Sequence, residues 1–226
     1  MEIIDVNVQW GFYPLAMIDA SPQRVSNLLK EAGISKGLAI SFKSSFLSYR
    51  EGNRETLYIS QQNPFFLPVF AVDPRDYPRC MKEIEEAKEK GFIALRLFRR
   101  HSENGTVLKE IFRSAAKLSL PILCDFVPLV LDITPLPPVV LLEIPLEELG
   151  EAFYLLEREE VYIEFSPFLI GSGRASDNLK GKLLFGSRLP FLPPFLHLKL
   201  IEEQFPSSED RELILSLNAK KIFSLS

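Results

Sequence analysis

A small (β/α)8 barrel is the fold class this sequence predicts, on three observations. Short apolar runs alternate with amphipathic segments along the chain, the order of a parallel sheet built from βαβ units. The runs are near-continuously apolar, as strands covered on both faces are. Eight of them fit within 226 residues, near the lower end for eight such units closed on themselves. No repeat, low-complexity tract or linker divides the chain, so residues 1–226 read as one barrel domain.

Strand one is residues 2–9, with Asp5, Asn7 and Gln9 on one face. A helix over 21–32 has Ser21 to cap it, Pro22 at its first position and Gly33 just past its end. Strand two is 36–42, a helix follows over 52–62, and strand three is 65–72, closed by Asp73-Pro74. Residues 77–90 carry charges at i,i+4 spacing and stop at Gly91, the pattern of a solvated helix. Strand four is 92–98, its return helix 106–118, and strands five and six are 121–126 and 139–144. A helix over 146–159, strand seven at 161–166, a weak helix near Asn178 and strand eight at 182–187 continue the alternation. Residues 207–223 form a closing helix, with Glu209 and Asp210 in its first turn and Lys220 and Lys221 in its last. Only residues 127–138 join strands five and six, and Pro128, Pro135, Pro137 and Pro138 leave no ordinary helix there. The fifth helix is therefore expected to be missing or reduced to an irregular turn.

Composition narrows the partners. The 26 Lys+Arg against 30 Asp+Glu give −4, and no basic run exceeds Arg99-Arg100, so neither a nucleic-acid nor a lipid-surface footprint is present. The longest apolar stretch, 127–142, is broken by Asp132 and four prolines, and no spanning helix is expected. Cys80 and Cys124 stand 44 residues apart without a CxxC or a leader pattern, which points to buried thiols in a reducing cytoplasm. Small molecules or other proteins are the expected partners. The composition is odd in holding 18 Phe and 17 Pro but only 2 His.

Several segments, in order, resemble the amidohydrolase-related branch of the metal-dependent amidohydrolase superfamily. They are Asp5-Val-Asn-Val-Gln9, Leu67-Pro-Val-Phe-Ala-Val-Asp-Pro74, Gly91-Phe-Ile-Ala-Leu-Arg-Leu-Phe98, Leu120-Pro-Ile-Leu-Cys-Asp125, Leu184-Phe-Gly-Ser-Arg-Leu-Pro190 and Ser208-Glu-Asp-Arg-Glu-Leu-Ile-Leu-Ser-Leu-Asn-Ala219. Order and spacing carry the resemblance, above all the Phe-Gly-Ser-x-x-Pro turn before the last helix. It implies a barrel whose C-terminal mouth holds one or two divalent metals that activate a water. The implied ligands are a His-x-His pair on strand one, a His ending each of strands five and six, and an Asp after Phe-Gly-Ser. The matching positions are Asn7, Gln9, Asp125, Glu143 and Arg188, none of them histidine. Arg96 stands where some relatives of that family carry a lysine, so a carboxylated-lysine bridge is excluded too.

Charge sharpens this departure. Asp125 and Glu143 could hold a hard cation through oxygen, with Asn7 and Gln9 as amide donors. Arg188 opposes it, because a guanidinium cannot deprotonate to become a ligand and its charge repels a dication. Asp125, Glu143, Arg96 and Arg188 balance to zero, as a salt-bridged network replacing a metal would, and Arg188 is expected within ion-pair distance of Asp125 or Glu143.

That network admits two readings. In one it is an inert ion-pair plug. In the other Arg96 and Arg188 hold a small carboxylate or phosphate, with Asp125 or Glu143 as the acid–base group. Glu164 is expected to point into the barrel, since a lone carboxylate against the helix layer would be costly. Trp10, expected in a loop after strand one, either stacks on a ligand or caps the barrel end. Arg99, Arg100 and His101 form either an anion-attracting rim or a solvated loop. Asp73 is expected to fix its turn, and His197 to be a surface or helix residue outside the site.

The leading expectation is a metal-free binder of a small anionic ligand or a degenerate hydrolase, with no cofactor. Catalytic residues, if any, are Asp125 and Glu143, and ligand-binding residues are Asn7, Gln9, Trp10, Arg96, Glu164 and Arg188. The alternative is an active metal-dependent hydrolase or decarboxylase (a lyase) with a carboxylate-rich metal site. A homodimer through the apolar segment 127–138 is also expected, because that stretch would otherwise lie bare.

Overall fold

The computed structural model describes residues 1–99, 105–126, 133–166 and 177–225. Nine strands form one sheet in the order β2-β1-β3-β4-β5-β6-β7-β8-β9. They are β1 (Ile4–Tyr13), β2 (Ile18–Ala20), β3 (Lys36–Ser41), β4 (Phe66–Val72), β5 (Ala94–Leu97), β6 (Ile122–Cys124), β7 (Val139–Leu141), β8 (Val161–Glu164) and β9 (Leu183–Leu184). All neighbours pair in parallel except β2, which folds back on the end of β1 as a hairpin. The eight parallel strands are the eight the sequence predicts. The sheet curls until its ends meet: Val6 N–H donates to the Phe185 carbonyl and Gln9 N–H to that of Leu189, both at 2.9 Å. The fold is a (β/α)8 barrel.

The helices lie outside the sheet and follow local rules. Helix α1 (Pro22–Glu31) begins at Pro22, buries Val25 and Leu29, and ends before Gly33 at φ +72°. After the short α2 (Lys43–Phe46), α3 (Tyr49–Gln62) starts three residues before the predicted Gly52, because the Ser48 hydroxyl accepts the Glu51 N–H and caps it. Helices α4 (Arg79–Ala87), α5 (Gly105–Leu118) and α6 (Leu149–Leu155) return the chain to β5, β6 and β8. The segment before β9 is a 3-10 turn, Asp177–Lys182. Beyond β9 come α7 (Pro194–Gln204), then α8 (Ser208–Glu212), a π-helical turn (Leu213–Leu217) and α9 (Asn218–Phe223) in one continuous run.

Three expectations need correction. Trp10 is not in a loop: β1 runs on to Tyr13 because Trp10 pairs with Ser41 and the strand then pairs with β2, and the ring is buried. Helix α7, where no element was predicted, forms despite a weak helical period because Pro193 and Pro194 suit a helix start and the run from Phe195 is apolar. Between β6 and β7 the described residues carry no helix, but 133–138 do not form a bare stretch, since Ile133 and Leu136 are buried in the chain's own core. The rest of that expected dimer face, 127–132, lies outside the described residues, as do Arg100 and His101. No described helix is long and apolar enough to cross a membrane.

Candidate functional site at the barrel mouth

β1 supplies the first polar groups. Its register shifts between Asp5 and Val8, and Asp5 Oδ1 accepts the backbone N–H groups of Asn7 and Ser187, both at 3.0 Å. This ties the start of β1 to the Phe185-Gly-Ser-Arg188 turn. Burial pushes the Asp5 carboxyl up to about 6, against these hydrogen bonds and one with the Ser187 side chain.

Asn7 reaches across to the opposite wall. Its Nδ2 donates to Glu143 Oε1 at 2.9 Å and to Glu164 Oε1 at 3.0 Å, so one amide bridges two carboxylates. The Glu143 backbone N–H donates to Glu164 Oε2 at 2.8 Å, which fixes Glu164 in the interior, the side expected from the cost of a lone carboxylate against the helix layer. Arg188 closes the group with a 2.8 Å ion pair to Glu143 Oε2. The ion pair expected from the sequence is present. Both of its members have left-handed backbones, Glu143 at φ +54° and Arg188 at φ +61°, which cost about 1 kcal/mol or more each.

The two carboxylates are driven apart in acidity. Burial, reinforced by the negative charge of Glu143, pushes Glu164 up to about 8 despite its hydrogen bonds. Burial acts in the same sense on Glu143, but the charges of Arg188 and Arg96 and the hydrogen bonds from Asn7 and Arg188 outweigh it and hold that carboxyl below its ordinary range. Glu164 is thus the proton holder and Glu143 the carboxylate at neutral pH. Such separation suits one group to donate and the other to accept.

A second group lies around Asp125. Its Oδ2 is 3.6 Å from the buried Arg96 guanidinium, its Oδ1 accepts the Arg99 N–H at 2.7 Å, and its carbonyl accepts from the Arg99 side chain at 2.9 Å. Arg99 also makes a two-pronged contact with Glu148. Arg96 lies 5.2 Å from the centre of the Phe98 ring, and its buried Nε has no acceptor among the described residues. Asp125, Glu143, Arg96 and Arg188 therefore stand as two pairs rather than one closed network, linked by the pull of Arg96 on Glu143. Gln9, half-buried, makes no side-chain hydrogen bond among the described residues. Trp10 stacks at 6.5 Å on Phe66, apart from both pairs, with Nε1 unpartnered among the described residues. Asp73 does fix its turn, accepting the Arg75 backbone N–H.

Sequence reasoning missed two supporting residues. A Cβ on Gly186 would sit 2.1 Å from Glu164 Oε1, so only glycine leaves room for that carboxyl. His197, expected at the surface or on a helix, is on α7 but buried, its Nδ1 2.7 Å from the Gly186 carbonyl, and burial lowers its pKa. The Phe-Gly-Ser motif marked Gly186. For His197 the signal was its place in an unbroken apolar run.

No family model matches the chain, and no curated protein matches it either. Solved structures do. A 2,6-dihydroxybenzoate decarboxylase from Rhizobium superposes with a TM-score of 0.74 at 14% identity, covering 100% of this chain and 99% of that one. A 4-oxalomesaconate hydratase from Rhodopseudomonas palustris gives 0.71 at 15%, covering 99% and 96%. A 5-carboxyvanillate decarboxylase from Novosphingobium aromaticivorans, with bound manganese, gives 0.70 at 11%, covering 99% and 97%. The resemblance to amidohydrolase-related barrels drawn from the sequence is met at the level of the fold. Among the described residues, no three His, Cys, Asp or Glu side chains are gathered so as to hold a metal ion.

Proposed function

We propose that this chain is a metal-independent barrel of the amidohydrolase type that binds a small carboxylate- or phosphate-bearing molecule at its mouth, as a binding protein or a degenerate hydrolase. One observation carries the reading: the Arg188 guanidinium lies 2.8 Å from Glu143, at the position where the family resemblance implies a metal-bound carboxylate. A dication there would meet a permanent positive charge. The donor set does not fit a metal in other respects. Asn7 presents its N–H groups to both carboxylates, and Asp125 is engaged by Arg96 and Arg99. No step is therefore assigned to a metal.

The same groups suit an anion. Arg188 is about a third exposed, and the buried Arg96 keeps an N–H with no acceptor among the described residues. An arriving carboxylate or phosphate would take the place of Glu143 on Arg188, two parallel N–H donors matching its two oxygens. Glu164 and Glu143 would then hold or move a proton beside it.

Metal analysis of protein purified without chelators, combined with melting curves in inorganic phosphate and in acetate, tests the reading. Metal well below one equivalent is expected, together with a rise in melting temperature in at least one anion that Arg188→Gln abolishes. Near-stoichiometric zinc, manganese or magnesium would sink the metal-independent reading, and melting curves indifferent to both anions would sink the anion reading.

A further inference from the structure

Outside the barrel, α3 and α4 leave between them a groove of about 420 Å³ that reaches down to β4. Local packing opens it. Gly52, about 200° round α3 from Arg50, seats that helix against α2, on the side away from α4. The floor is the Phe70 ring of β4 and the Phe92 ring ahead of β5, set edge to face at 5.1 Å, and Leu57 of α3 adds an apolar wall. A small-molecule site has a volume of roughly 300–1,000 Å³, a mostly apolar lining and a few placed polar groups.

The polar groups left over in this groove are donors. Arg54 makes no ion pair among the described residues, and Glu51, one turn before it, lies outside the groove. Asn53 is buried and spends Oδ1 and one N–H on the Ala71 backbone, so its second N–H has no acceptor among the described residues. The carboxylates lining the groove are engaged: Glu83 takes Arg50 Nε at 2.9 Å, and Glu86 takes Lys90 Nζ at 2.5 Å. Asp76 holds the other end of Arg50 at 2.5 Å. A cationic ligand would have to break one of these pairs. A carboxylate would meet in Arg54 a guanidinium that can serve both of its oxygens.

We propose that this groove is a second ligand site, which takes a monocarboxylate with a flat aromatic body. The ring lies on the Phe70–Phe92 floor as a third member of the edge-to-face set, and the carboxylate is held by Arg54 on the α3 wall. An inorganic anion would forgo the floor, and a neutral aromatic would forgo the guanidinium. None of these residues belongs to the barrel mouth, so the proposal stands apart from the anion reading of Arg188.

Fluorine NMR of 4-fluorophenylacetate titrated with the full chain tests this. Binding with a Kd of about 1 mM or tighter is expected, both in the wild type and in Arg188→Gln, where the mouth no longer competes for the probe. Adding Arg54→Gln to Arg188→Gln should weaken binding about tenfold, and the melting curve should not move because the Arg54 side chain is exposed. The uncharged analogue 2-(4-fluorophenyl)ethanol should bind Arg188→Gln about tenfold more weakly than the acid does. Absence of binding at millimolar probe would overturn the proposal, as would loss of all binding with Arg188→Gln alone, an affinity unmoved by Arg54→Gln, or equal affinities for acid and alcohol.

Discussion

Glu164 carries an unusual acidity because of where it is placed rather than what it is. Its carboxyl is raised from an ordinary 4.5 to about 8, so between these values the folded chain holds a proton that the unfolded chain has released. Stability must therefore fall as pH rises through that window and level off above it, by up to a few kcal/mol in all. Asp5, raised from 3.8 to about 6, acts in the same direction over the lower part of the window. Glu143, held below its ordinary value, acts the other way, stabilising above the unfolded pKa and losing that contribution only in acid. Urea unfolding at pH 5, 6.5 and 8 should show wild-type stability declining throughout, while Glu164→Gln keeps only the Asp5 decline between pH 5 and 6.5 and is nearly flat from 6.5 to 8, whatever the variant's absolute stability. Equal slopes in the two proteins would show that Glu164 is not the proton holder. The inward placement of Glu164 could be read from the cost of a lone carboxylate against the helices, and the Glu143–Arg188 pair from charge. The one-amide bridge by Asn7 could not, because it depends on which strands face each other across the closed barrel.

Helix α3 shows how much an element depends on a single missing side chain. Gly52 lies where a Cβ would meet Ser44 Oγ at 2.1 Å and the Ser44 backbone nitrogen at 2.4 Å. This close approach seats α3 against α2, and the next residue, Asn53, clamps β4 through the Ala71 N–H and carbonyl at 2.7 and 2.9 Å. Gly52→Ala is expected to destabilise the chain by about 3 kcal/mol through overpacking, although alanine is the better helix former. Truncating the partner in Ser44→Gly/Gly52→Ala should recover little of it, since the conflict includes backbone, and denaturant unfolding reads both variants. Full recovery in the double variant would mean that only the hydroxyl was in the way. Periodicity gave the existence of this helix, and Ser48 could have given its start. Its contact with α2 was hidden because α2 has no pattern of its own, and α7 was missed because its apolar residues crowd the first half and its charges the end, leaving no helical period to read.

At the scale of the whole molecule, a two-residue strand closes the barrel. β9 is held on one side by β8, while the Phe185 and Leu189 carbonyls beyond it receive N–H groups from β1. The C-terminal run holds it from outside. Phe185 N–H donates to the Ile214 carbonyl at 3.1 Å, and Asn218 Nδ2 donates to the carbonyls of Lys180 and Leu183, both at 2.8 Å. Asn218→Ala would strand two carbonyls and is expected to cost about 2–4 kcal/mol. Hydrogen exchange should then quicken first at the Val6 and Gln9 amides, while Leu95, bonded to Pro121 on the far side, keeps its protection. Uniform loss across all three amides would show that closure is not the weak point. The eight strands and their order were legible because each apolar run is short and bounded. Closure of the last strand on the first follows from the predicted barrel, but the bonds of the seam were not legible, since nothing in a linear chain marks the register in which those two strands meet.

The π-helical turn between α8 and α9 gives that seam its precision. An ordinary α-helix advances about 100° per residue, so one residue more in a turn rotates everything downstream by that amount. Leu213–Leu217 thus act as a built-in phase shifter. The N-terminal half keeps its Ser207 cap, while the C-terminal half is turned to bring Asn218 onto the strand that completes the ring.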